Sequence, residues 1–162
     1  MRTKIMIVLL LVVLASLNYF IYEKEQIKEH GERLLLELAP VDPRSLMQGD
    51  YMRLRYAIER SAPADELANH QKRGYMVIRP DENNVAKFVR FYKDGNLAEG
   101  EKLLHFHKNF SDVRIMLDSF FFQEGHAEQY EDAKYGVFKF DDSGKHLLVD
   151  LADENRKTII VE

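Results

Sequence analysis

At 162 residues the chain has room for one ordinary domain and an appendage, and with no cysteine it has no disulfide, no thiolate metal site and no N-terminal cysteine for lipid modification. All 27 acidic residues follow Tyr22 while Arg2 and Lys4 precede it, so the remainder carries 21 basic residues and a net charge of −6. So acidic a remainder lacks an electrostatic footprint for nucleic acid and disfavours general attachment to anionic headgroups.

Residues 5–22, IMIVLLLVVLASLNYFIY, hold no charge, and Asn18 is their only strongly polar side chain. Eighteen such residues are near the minimum for crossing a hydrocarbon core. Arg2 and Lys4 before the run and Tyr19, Tyr22, Glu23 and Lys24 at its far end predict a cytoplasmic N-terminus and a domain on the other side of the membrane. A cleaved signal is the competing expectation, because Val13-Leu14-Ala15 offers small residues; the apolar run continues through Leu17, Tyr19, Phe20 and Ile21, which favours a retained anchor. The charged stretch 22–32 continues the helix as a stalk that ends near Gly31, with its charges read as a solvated surface. The expected division is therefore an anchor and stalk over 1–31 and a mainly β domain over 32–162.

Arg33 to Ala39 reads as a first strand, and Pro40 and Pro43 then break regular structure. From Gly49 to Ile58 an extended chain puts Met52, Leu54, Tyr56 and Ile58 on one face and Tyr51, Arg53 and Arg55 on the other, so one face is core and one is wet. The polar segment 59–74 has room for a short helix over 65–71. Residues 75–79 and 85–92, joined by Pro80-Asp81-Glu82-Asn83-Asn84, form the clearest predicted hairpin. Extended segments follow at 101–110 and 112–122, then a short helix after Gly125 that ends at Gly136. A second hairpin is expected at 137–140 and 146–151 around Asp141-Asp142-Ser143-Gly144, with a possible last strand at 158–161. Seven or eight short strands with close turn signals predict an antiparallel barrel or sandwich with one or two short helices.

Gly49-Asp50-Tyr51-x-x-Leu54-x-Tyr56 resembles the signature of the GDYXXLXY family of bacterial membrane-anchored proteins. The stretch 40–44 before it, and Glu124-Gly125, Glu131 and Tyr135-Gly136 after it, are also similar to that family. No activity comes with the resemblance, since a shared fold does not give a reaction. It implies a bacterial cytoplasmic membrane setting, and a partner among the multi-spanning membrane proteins beside which family members are often encoded or to which they are fused.

Within the signature, Gly49 and Asp50 suit a turn entering a strand, and Leu54 and Tyr56 suit the core. Asp50, Tyr51, Arg44, Arg53 and Arg55 are the candidate binding residues, the arginines being a basic cluster in an acidic domain. Ser45 and Lys87 are the candidate catalytic pair. Their order around Gly49-Asp50 is similar to that of type I signal peptidases, which also carry an N-terminal anchor and an outer β domain, although Ser45 lies too near Gly49 and Phe88 follows Lys87. A serine nucleophile activated by lysine needs that lysine buried and unprotonated. His105 and His107 share a strand face, but two imidazoles make no site without a third ligand such as His126. Glu124, His126, Glu128 and Glu131 read as solvated groups near a helix start. No metal and no cofactor is expected. The expected function is a membrane-anchored extracytoplasmic binding module with a membrane-protein partner, the alternative being an anchored Ser/Lys hydrolase.

Overall fold

The computed structural model describes residues 2–40, 47–48, 51–61, 63, 72–109, 112–141 and 143–160. Helix α1, Arg2–His30, is long and apolar enough to cross a membrane. At 1.5 Å per residue it is about 44 Å long, and its apolar side chains from Ile5 to Tyr22 are exposed on every side. The two polar side chains in that stretch bond back to their own helix: Ser16 Oγ donates to the Val12 carbonyl at 2.9 Å and Asn18 Nδ2 to the Leu14 carbonyl at 2.8 Å. Neither then needs water for its donor.

Strand β1 (Glu32–Glu37) follows almost at once. Next come β2 (Met47–Gln48), β3 (Tyr51–Arg53), the one-turn helix α2 (Ile58–Ser61), β4 (Arg73–Pro80), β5 (Ala86–Phe91) and β6 (Lys102–Asn109). The chain continues through β7 (Asp112–Ile115), β8 (Ser119–Phe121), a 3-10 turn at Ala127–Tyr130, β9 (Tyr135–Phe140) and β10 (His146–Ala152). The fold is mainly β, and among the described residues the paired strands run antiparallel. Three sheets, ordered β1-β9-β10, β2-β3-β8 and β5-β4-β6-β7, curl into a half-barrel.

Leu34, Leu36, Tyr56, Met76, Ile78, Leu104, Phe106, Ile115, Phe138 and Phe140 fill its inside as one buried cluster. Single bridges stitch the sheets together: Leu35 to Val85 joins β1 to the start of β5, and Leu38 to Tyr56 joins the chain after β1 to the signature segment.

Both hairpins form, as β4-β5 and β9-β10. Their turns are tied by aspartates: Asp81 Oδ1 accepts the amides of Asn83 and Val85, and Asp141 Oδ1 those of Ser143 and Lys145.

Four expectations change within the β domain. The strand expected through Ile58 stops at Arg53, and α2 starts at Ile58, yet Met52, Leu54, Tyr56 and Ile58 are all buried as the alternation requires. The segment 112–122 is two strands, because the Asp118 carbonyl accepts the Leu54 amide at 2.7 Å and the Leu117 carbonyl accepts the Tyr56 hydroxyl at 2.6 Å. The helix after Gly125 is a single 3-10 turn, and among the described residues the last predicted strand contributes the bridge from Ala152 to Thr158 and the Ile159 amide bond to the Leu151 carbonyl at 3.0 Å. The possible helix at 65–71 lies outside the described residues.

The stalk is more than a solvated surface. Ile27 is buried at 2% exposure, the Lys145 ammonium pairs with Glu23, and Lys139 Nζ donates to the Gly31 carbonyl at 2.9 Å. Gly31 caps α1 by donating its amide to the Ile27 carbonyl at 2.9 Å. A Cβ there would overlap that carbonyl and meet Phe140 O at 3.0 Å, so the residue at the junction has to be small.

Candidate functional site

The outward face of β3 is built by its pairing. Tyr51 stands directly opposite Phe121 of β8, with ring centroids 5.7 Å apart at 37°. Phe121 is 74% exposed, so the pair forms an aromatic surface rather than core. Arg53, opposite Ser119, extends this face and is exposed. The neighbouring Phe120 and Phe122 turn the other way onto Tyr130, with centroids at 5.1 and 5.6 Å. That inward packing fixes which phenylalanine of the run faces out.

Beyond β3 the wet face continues as Arg55, which lines an open cavity of about 320 Å³ with Pro40, Tyr56, Glu59, Arg60 and Asp112. Glu59 is its most constrained group, its side chain only 7% exposed. One carboxylate oxygen accepts the Ile115 amide at 3.0 Å, and the other lies 3.7 Å from Arg55 Nη1. Burial raises the Glu59 pKa above its ordinary 4.5, opposed by the Ile115 amide and Arg55. The Tyr56 phenol, buried and near Glu59 and Asp118, is pushed well above its ordinary value, so it stays a donor. Arg55 and Arg60 beside a buried carboxylate can take up an acidic group from outside while Glu59 holds Arg55 in place.

Of the other candidate residues, Arg44, Ser45 and Asp50 lie outside the described residues, so the Ser45 to Lys87 separation does too. Lys87 sits on the exposed side of β5, with Nζ 3.7 Å from Glu37 and 4.0 Å from Asp81. The burial that a lysine general base needs is absent there. His105 and His107 do share a face of β6, but His105 stacks on Tyr75 at 4.7 Å and His107 stands between Arg73 and Arg114 of the neighbouring strands. Among the described residues no three of His, Asp and Glu converge in a way that could hold a metal ion. Glu124, Glu128 and Glu131 are exposed around the 3-10 turn, and His126 makes no side-chain cap to it.

Two parts of the site escape a reading of the sequence. Glu59 and Arg60 fall at the head of a polar stretch, and the only local signal is the four-residue spacing from Arg55 to Glu59. Phe121 is one of three consecutive phenylalanines, and only the register against Tyr51 singles it out. A family profile described as "GDYXXLXY protein" matches residues 13–151, and no curated protein and no solved structure matches the chain.

Proposed function

From the premise that the chain belongs to the GDYXXLXY family, we propose that it is a membrane-anchored binding module. Residues 1–31 would anchor it once across a bacterial cytoplasmic membrane with the N-terminus inside, and the β domain, 32–162, would face outward. Its partner in this reading is a multi-spanning protein of the same membrane. The observation that carries the binding role is the pairing of half-buried Tyr51 with exposed Phe121 beside Arg53, on the outer side of the strand that the signature names.

Large aromatics and arginine are the residues that dominate protein interfaces, because they remove much area from water at small entropic cost. The anchor supports a partner in the same bilayer, since confinement to one plane raises the effective concentration of the two proteins. Co-purification in mild detergent tests it. Full-length protein should bring down a membrane partner that the Phe121→Ala and Arg53→Glu variants lose, while both variants keep the parent's circular dichroism. Recovery of the parent protein alone, at any detergent mildness, removes the reading.

A further inference from the structure

A second groove, about 550 Å³, lies between α1, the outer face of the β4-β6 pair and the β9-β10 turn, and includes Lys24, Tyr75, His105, Ser143, Lys145 and His146. Its character runs against the charge of the chain, which is −4 overall. Lys24 has no ion pair among the described residues, and Arg73 adds its charge beside His105. Among the described residues the acids nearby are Glu23 and Asp141. The first is engaged by Lys145, and the second spends one oxygen on the Ser143 and Lys145 amides and the Ser143 hydroxyl, at 2.8 to 2.9 Å.

The level of the groove is set by α1. Lys24 lies two residues beyond the end of the apolar run at Tyr22, a rise of about 3 Å. The Glu23 to Lys145 pair holds the β9-β10 turn at that same height. If α1 spans the bilayer, the groove therefore opens among the headgroups, with Leu103, Met116 and Leu117 offering apolar lining next to its cations.

We propose that this groove binds the phosphate of an anionic lipid headgroup, with Lys24, Lys145, His105 and His146 as its donors. The site rests on the anchor reading above. It is a local exception to the acidic surface of the chain.

Binding is linked to protons. His105 faces Tyr75 and Arg73 from β4, His107 from its own strand and His146 from β10. His146 faces the Phe138 and Phe140 rings, the Gly144 carbonyl, His105, Lys24 and Asp141. Burial and then the neighbouring cations hold both imidazoles below their ordinary 6.5. A phosphate between them supplies the missing counter-charge, so lipid binding raises both pKa values and acidification tightens binding.

The test uses the full chain in nanodiscs of phosphatidylcholine with and without phosphatidylglycerol, titrated by NMR of the histidine rings. Phosphatidylglycerol should raise the apparent pKa of His105 and His146 by about one unit more than that of His126, which is outside the groove. Lys24→Ala should remove at least half of that excess. Equal shifts at all three histidines would reflect surface potential alone and overturn the site. A selective shift produced by inorganic phosphate in pure phosphatidylcholine discs, with none from phosphatidylglycerol, overturns the lipid source in favour of a soluble anion. Resistance to alkaline carbonate extraction reads the anchor separately: an anchored chain with no selective shift loses the headgroup site and keeps the anchor, and an extracted chain loses both.

Discussion

Tyr56 is held at both ends. Its ring meets Phe138 edge-on at 5.7 Å, and its hydroxyl donates to the Leu117 carbonyl at 2.6 Å. Tyr56→Phe keeps the packing and leaves that carbonyl without its donor, which should lower stability by about 1–3 kcal/mol in denaturant unfolding. A loss as large as the 3–5 kcal/mol typical of removing a whole buried ring would mean that the ring had moved. Gly136 is the counterpart of Tyr56 across the core. A Cβ there would lie 3.2 Å from the Tyr56 ring, 3.2 Å from Phe138 and 3.3 Å from Leu148, so Gly136→Ala should overpack the site at about 1–3 kcal/mol. The tyrosine and the glycine lie 80 positions apart, and each explains the other.

Glu59 adds a pH dependence with a definite sign. Its folded pKa is raised above 4.5 by burial, so folding favours the protonated form. The associated stability is fully present below the unfolded value and is lost as pH rises through the folded one. Glu59→Gln keeps an acceptor for the Ile115 amide and removes the buried charge. The variant's unfolding midpoint should therefore fall less than the parent's between pH 4.5 and neutrality. Parallel curves for the two proteins would show that the Arg55 pairing already offsets the desolvation.

The β4-β5-β6 unit depends on a carboxylate of the opposite kind. Glu101 receives both guanidinium nitrogens of Arg90 at 2.7 and 2.9 Å, Arg79 at 3.1 Å and the Ala98 amide at 3.0 Å. Chiefly through Arg90, and then through the Ala98 amide, its pKa is lowered from 4.5 to about 2. Here the contribution is present above the unfolded pKa and disappears as pH falls towards 2. Glu101→Gln should be less stable than the parent at pH 7 and should lack the parent's steep loss on acidification, as read by urea midpoints. Equal acid branches in both proteins would remove Glu101 as the cause.

These pairings also mark where the sequence is silent. The hairpins were legible because Asp81 and Asp141 make their bonds within four residues, and the signature strand because its alternation is local. Glu59 meets Ile115 across 56 positions and Tyr56 meets Leu117 across 61, so no window of sequence contains either bond. The break at Met116–Asp118 has the same origin: carbonyls that a continuous strand would give to a neighbour are taken by Leu54 and Tyr56. At the candidate site the wet face was readable as Tyr51, Arg53 and Arg55. Phe121 entered only through its register against Tyr51, and the burial of Glu59 through its contact with Ile115.

The junction of α1 with the domain decides how the parts move together. The charged stretch reads as a solvated stalk, but here Ile27 is buried, Gly31 is closed by its own cap and by Lys139, and Glu23 reaches Lys145. Such contacts predict a domain held in one direction relative to the helix axis. The absence of cysteine makes this measurable, since two introduced cysteines carry the only spin labels. With labels at the exposed Glu29 and Glu154, pulsed electron resonance should give one narrow distance distribution. Ile27→Asp puts a charge into the buried contact and should broaden that distribution while leaving the β-sheet circular dichroism unchanged. A distribution already broad in the parent would mean that the domain pivots freely on its anchor. The Ile27 contact would then be too weak to orient either surface, and a partner or lipid would have to capture the domain from many directions.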